Sequence, residues 1–176
     1  MRFIMIFLLF FATNAFAAGE PEMMKVVNAF YTTYIAVKPT GVPTVKEQRQ
    51  FKPYLSASLA KLLNEAAGAE EKYHRSTKGE VPPLVEGDLF TSLFEGATAF
   101  KVLSCDAANG SCLVDFSYVE AANGPPTRWK DKIYLVRNTS GWLINDIEYL
   151  GEWQFMHKGR LRDLLKEVAK EGNDRL

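Results

Sequence analysis

Between Leu89 and Phe100 the apolar residues of this chain stop recurring every three or four positions and begin to recur every second one. Before that point, Met24, Val27, Tyr31, Tyr34 and Ile35 mark one amphipathic helix after Pro21, stopped by KPTGVP. Thr44 opens a second helical stretch, with Glu47 placed for a capping box. Pro53 divides it from a third, in which Leu55, Leu59, Leu62 and Leu63 form the apolar stripe. After the change, Phe100 and Val102, then Val114, Phe116 and Tyr118, then Ile133 and Leu135 alternate with polar residues. Period two with one polar face predicts antiparallel strands buried on one side only. AANG before Ser111, ANGPP at 122–126 and RNTSG at 137–141 are hairpin turn signals, and WLINDIEYL supplies a fourth strand. Leu161, Leu164, Leu165 and Val168 then define a closing helix, with Gly172 as its expected stop. The expected fold class is therefore α+β: N-terminal helices packed on a curved, four-stranded antiparallel meander, plus a C-terminal helix.

The N-terminus reads as an export signal. Arg2, the apolar run Phe3–Phe11 and the small residues around Ala15-Phe16-Ala17 have the layout of a secretory leader cleaved after Ala17. The apolar run is well short of the roughly 20 residues of a spanning helix, so no integral membrane segment is expected after cleavage. Residues 18–176 are then one domain of 159 residues, periplasmic or secreted. Removing Arg2 takes 21 basic against 21 acidic residues to 20 against 21, which leaves no net field to attract nucleic acid.

The candidate chemistry is sparse. In EGDLFTSLFEG, Asp88 reads either as a helix N-cap and loop anchor ahead of Thr91 and Ser92, or as half of a carboxylate pair with Glu95, perturbed by Phe90 and Phe94. Asp115, Tyr118, Trp129, Asp131, Asp146 and Tyr149 all fall on expected strands. Asp115 and Asp131 alternate against apolar neighbours and are expected to face solvent. Asp146 sits where Leu143, Ile144 and Ile147 would otherwise bury both faces, which suggests a β-bulge or an exposed sheet end. Arg128 beside Trp129 is either a loop-edge pair or an anion-binding feature. Trp153, Phe155 and Met156 are expected to pack the closing helix. The two histidines, His74 and His157, have no partners at ligand spacing, so neither metal nor cofactor is expected. No serine lies in a nucleophile-elbow turn and no phosphate loop occurs.

GDLFTSLFEG at 87–96, followed by an alternating strand and by GWLINDIEYLGEW, resembles a domain-of-unknown-function family of small exported bacterial proteins. The fold of that family is similar to that of nuclear transport factor 2, a cone-shaped α+β fold shared with ketosteroid isomerases and scytalone dehydratase. The resemblance runs from about Met24 to Lys166. It implies a pocket inside the cone, and pairing of two copies through the outer sheet face. On this reading the protein is a binding or interaction module for a small molecule or a protein, with Asp88, Phe90, Glu95, Tyr118, Trp129 and Asp146 as ligand-binding candidates. The alternatives are a hydratase, isomerase or hydrolase using the cone carboxylates, and an immunity or inhibitor protein.

The only cysteines, Cys105 and Cys112, flank a turn within CDAANGSC. Metal binding would need two further ligands, and redox motifs use C-x-x-C at a helix start. In an oxidising compartment, two cysteines opposed across a hairpin predict a disulfide.

Overall fold

The computed structural model describes residues 19–120, 124–153 and 157–174, so the expected leader, part of the 122–126 turn, Phe155 and Met156 lie outside the described residues. The chain is α+β, as its two periodicities require. Helix α1 (Gly19–Val37) buries Met23, Val27, Phe30, Tyr31 and Tyr34 along one stripe. It ends at Lys38, whose N–H bonds back to the Tyr34 carbonyl at 2.8 Å with φ 49°. Helix α2 (Val45–Phe51) carries the expected capping box in both directions: the Thr44 N–H donates to Glu47 Oε2 at 2.7 Å, and the Glu47 N–H donates to Thr44 Oγ1 at 3.4 Å. Around Pro53 the chain tightens into a 3-10 turn (Lys52–Tyr54), as a proline inside a helical pattern forces it to do. Leu55 is extended and bridges to Ile144, so helix α3 (Ala57–Ser76) begins later than its leucine stripe implied, capped by Ser56 Oγ on the Leu59 N–H at 3.1 Å.

The sheet follows in sequence order: β1 (Ala99–Asp106), β2 (Ser111–Tyr118), β3 (Thr127–Asn138) and β4 (Gly141–Tyr149), every neighbouring pair antiparallel. A fifth strand, β5 (Gly159–Arg160), pairs with Glu148 and Tyr149, where four strands were expected. Two residues make too short a run to carry any alternation, so this strand is set by its partner and not by its own pattern. Helix α4 (Leu161–Asp174) completes the chain.

Two bulges bend the sheet. Leu103 is the extra residue of β1, and Asn145 that of β4. Each reverses the phase of its strand. In β4, Ile144 faces the core before the bulge, and Ile147 and Tyr149 face it afterwards. The curved inner face receives α1, while α4 packs along α3 and against β4.

The space between α1 and the sheet is filled by the chain's own rings. Phe30, Tyr31, Phe51, Phe90 and Phe116 are all fully buried. Phe90 stands edge-on to Phe30 at 5.2 Å and lies 5.0 Å from Phe51. Gly172 does not stop α4; it lies inside the helix, where a Cβ would come within 2.8 Å of Ala69 Cβ and 3.0 Å of the Ala69 backbone. The glycine is there because α3 and α4 touch at that point. Among the described residues no helix is long and apolar enough to cross a membrane.

Candidate functional site

The segment 87–96 crosses one end of the core without regular structure, held at both ends by glycines in the left-handed region, Gly87 at φ 76° and Gly96 at φ 78°. Neither position tolerates a side chain. A Cβ on Gly87 would lie 2.5 Å from the Phe94 ring, and one on Gly96 would lie 2.5 Å from the Tyr34 hydroxyl. The Asp88 N–H donates to the Phe94 carbonyl at 2.9 Å and closes the loop on itself.

Asp88 is the hub of this loop. Its Oδ1 accepts from the Phe90 N–H at 3.1 Å, and its Oδ2 accepts from Thr91 Oγ1 at 2.5 Å and from Tyr34 Oη at 2.8 Å. No helix follows, so the N-cap reading of Asp88 is corrected to loop anchoring, with one backbone N–H and two hydroxyls as donors in place of the first turn of a helix. Burial pushes the Asp88 carboxyl up to about 7, against the hydrogen bonds from Thr91, Phe90 and Tyr34 that lower it. The Tyr34 hydroxyl, buried beside that carboxyl, also accepts the Ala97 N–H at 2.8 Å, and burial is the largest cause of its raised pKa.

A second carboxylate lies deeper. Asp131 was expected to face solvent, but it is fully buried. Trp129, Asp131, Ile133 and Leu135 occupy alternate positions of β3 and therefore share the core face. The carboxylate accepts from four donors: the Ser92 N–H at 2.8 Å, the Trp129 Nε1–H at 3.0 Å, the Leu150 N–H at 2.9 Å and the Ser92 hydroxyl. Ser92 Oγ in turn accepts the Gly151 N–H at 3.1 Å. Burial raises the Asp131 pKa despite these donors. Two further tyrosines pin the same loop, Tyr31 to the Phe90 carbonyl at 3.0 Å and Tyr149 to the Leu89 carbonyl at 2.7 Å. The loop is thus a fixed plug across one end of the core between α1 and the curved sheet.

The sequence-derived candidates separate into three places. Asp88, Glu95 and Tyr118 line one mouth-like cavity of about 160 Å³ at the plugged end of the core, together with Tyr34, Lys38 and Thr98. Phe90 and Trp129 belong to the core; Trp129 stacks on Phe116 at 5.6 Å and meets Trp153 edge-on at 5.7 Å. Asp146 is elsewhere. The expected bulge is present, one residue earlier at Asn145, but Asp146 is buried and not exposed. Its Oδ1 accepts the Arg162 N–H at 3.1 Å at the start of α4, and Arg160 lies 3.6 Å away. That role is structural capping of α4. Asp115 does face outward and pairs with Arg128 at 3.4 Å, which makes Arg128 a partner on the outer sheet face and not a pocket residue.

Tyr34 and Lys38 were missed as mouth residues. Tyr34 could have been found, because a tyrosine on the buried stripe of a helix needs a partner for its hydroxyl. Lys38 could not, since the cavity it lines forms only where the end of α1 meets the 94–98 segment. Among the described residues no group of three or more His, Cys, Asp or Glu side chains could hold a metal ion. No family model matches the chain, and no curated protein matches it.

Proposed function

We propose that the chain is an exported, disulfide-stabilised binding protein of the nuclear transport factor 2-like fold, whose recognition site is the mouth cavity and not the interior of the cone. The observation that carries this reading is the convergence of Asp88, Glu95, Tyr118 and Lys38 on one cavity above a core packed solid with aromatic rings. Support for the fold comes from helices laid on the inner face of an antiparallel sheet that is bent by two bulges. Support for export comes from the disulfide, joined with the leader pattern of residues 1–17. A cavity of about 160 Å³ is smaller than those that enclose a drug-sized ligand. It suits a side-chain-sized group or the end of a longer ligand.

The test is a titration of isotope-labelled protein with small amines, carboxylates and diols, read by amide NMR shifts. Binding that shifts Thr98 and Tyr118 and is lost in Tyr118→Ala and Glu95→Ala supports the reading. Shifts confined to other surfaces, or none, would remove the site.

One observation favours an acid–base enzyme as the second reading. A carboxyl titrating at about 7 beside a tyrosine hydroxyl has the properties of a general base at neutral pH. Three donors already occupy that carboxyl, however, and a base must release one to accept a substrate proton. Turnover that rises with pH through about 7 and vanishes in Asp88→Asn would decide for the enzyme.

A further inference from the structure

The mouth cavity does not end at Phe94. A second hollow of about 350 Å³ shares Thr40, Gly87 and Phe94 with it, and a third of about 400 Å³ shares Val42, Glu70 and Pro83 with the second. The three form one trough from Asp88 to the flank of α3. Its walls are apolar: Val42, Pro43, Val45, Pro83, Val85 and Phe94. Among the described residues the two most exposed large hydrophobic side chains, Val45 at 59% and Phe94 at 45%, both stand on this trough. Phe94 is exposed yet held in place, because its ring lies on Gly87 and its carbonyl takes the Asp88 N–H. An apolar ring kept in water by a fixed loop is a pre-ordered contact surface.

The charges along the trough are mainly acidic. Glu70, Glu71, Glu86 and Glu95 line it in addition to Asp88, against Lys38 at the mouth. Glu71 is paired with Arg75 at 3.2 Å, and Glu70 accepts the Leu84 N–H at 3.0 Å. Among the described residues Glu86 and Glu95 have no salt-bridge partner. An apolar channel edged by carboxylates complements an occupant that alternates apolar and cationic groups, and it repels anionic headgroups.

We propose that this trough docks an extended peptide segment carrying lysine or arginine between valine-, leucine- or proline-like side chains, with one cationic group seated in the mouth cavity between Asp88 and Glu95. This rests on the mouth cavity being the recognition site and adds the class of its partner. The cavity is too small for a whole ligand because it takes only one side chain of a longer one. A segment ordered on binding, with part of its interaction energy spent on that ordering, gives moderate affinity.

The test uses the purified mature chain and a displayed library of random nonapeptides. Selected peptides are expected to be enriched in Lys or Arg together with Val, Leu or Pro, and to shift the amide signals of Val42, Val45 and Phe94. Glu86→Lys and Phe94→Glu should each weaken them tenfold or more, with the unfolding temperature of each variant confirming a native fold. No enrichment, enrichment of acidic peptides, affinity unchanged in both variants, or preferential binding to phosphatidylglycerol vesicles would overturn the proposal. Titration with n-butylamine separates this from the underlying reading. Shifts at Thr98 and Tyr118 without any selected peptide would leave the mouth site standing and remove the trough, whereas silence from both probes would remove both.

Discussion

Two buried aspartates hold one loop, Asp88 from within it and Asp131 from β3, and they do different work because their donors differ. Asp131 satisfies four hydrogen-bond donors that have no other acceptor in the network described above. Removing it strands them in a dry site, where each unsatisfied group costs about 1–3 kcal/mol. Asp131→Ala should therefore destabilise the protein by about 3 kcal/mol or more in urea unfolding, and a loss below about 1 kcal/mol would show that water replaces the carboxylate. Asp88 has three donors and a shallower place, and its removal should be milder. Asp88→Asn keeps an acceptor for Thr91 and Tyr34 and should fold, which makes it the useful probe of the mouth. Alternation along β3 puts Asp131 on the core face. Against Trp129 and Ile133, two positions away, it shares the buried face; only against the residues next to it does it look exposed.

At the scale of elements, the clearest agreement between pattern and structure is the β1–β2 hairpin. Cys105 and Cys112 are direct cross-strand partners, joined as a disulfide with their Cα atoms 4.0 Å apart. The turn between them is held by Asp106, whose Oδ1 accepts the Ala108 N–H at 2.9 Å and the Asn109 N–H at 3.1 Å. Closing a loop of this size stabilises by about 2.5 kcal/mol on the chain-entropy estimate. The double substitution of both cysteines by serine should lower stability by about that amount, and reductant should have the same effect on the unmodified chain but none on the variant. The contact of α3 with α4 gives a prediction of opposite intuition. Gly172→Ala would gain about 1 kcal/mol of helix propensity on an isolated helix. Here the new methyl meets the Ala69 backbone at 3.0 Å and Leu84 Cδ1 at 2.9 Å, so thermal unfolding should show a net loss. A net gain would mean that the two helices slide apart freely.

For the whole molecule, the carboxyls set the pH response. Burial holds Asp88 at about 7 and raises Asp131 and Asp146 from the usual 3.8. The folded state thus keeps a proton that the unfolded chain has already released. The stability this contributes is fully present below the ordinary carboxyl range and is lost as pH rises through about 7. His157, lowered from 6.5 by burial, acts the other way and withdraws stability as pH falls below its ordinary value. The unfolding midpoint should therefore fall between about pH 4 and about pH 7 and level off above that, and Asp88→Asn should flatten that fall. A midpoint that climbs across the same interval in the unmodified chain would mean that Asp88 is ionised throughout.

By itself, the sequence determined the local features. Hydrophobic period separated helices from strands, Thr44 and Glu47 fixed a helix start, Pro53 broke a helix, and the cysteine spacing with its turn residues fixed a hairpin and its cross-link. Each depends on interactions within about ten residues, which is the range a pattern can encode. The tertiary structure alone decided that Asp88 and Asp146 are dry, that 87–96 is a plug and not a helix, that Gly172 is a contact and not a stop, and that a two-residue strand joins the sheet edge. Each depends on contacts between segments far apart in the chain. A bulge at Leu103 or Asn145 reverses the facing of every later residue in its strand, and donors such as Tyr34 or Tyr149 reach their partners only after distant segments have packed.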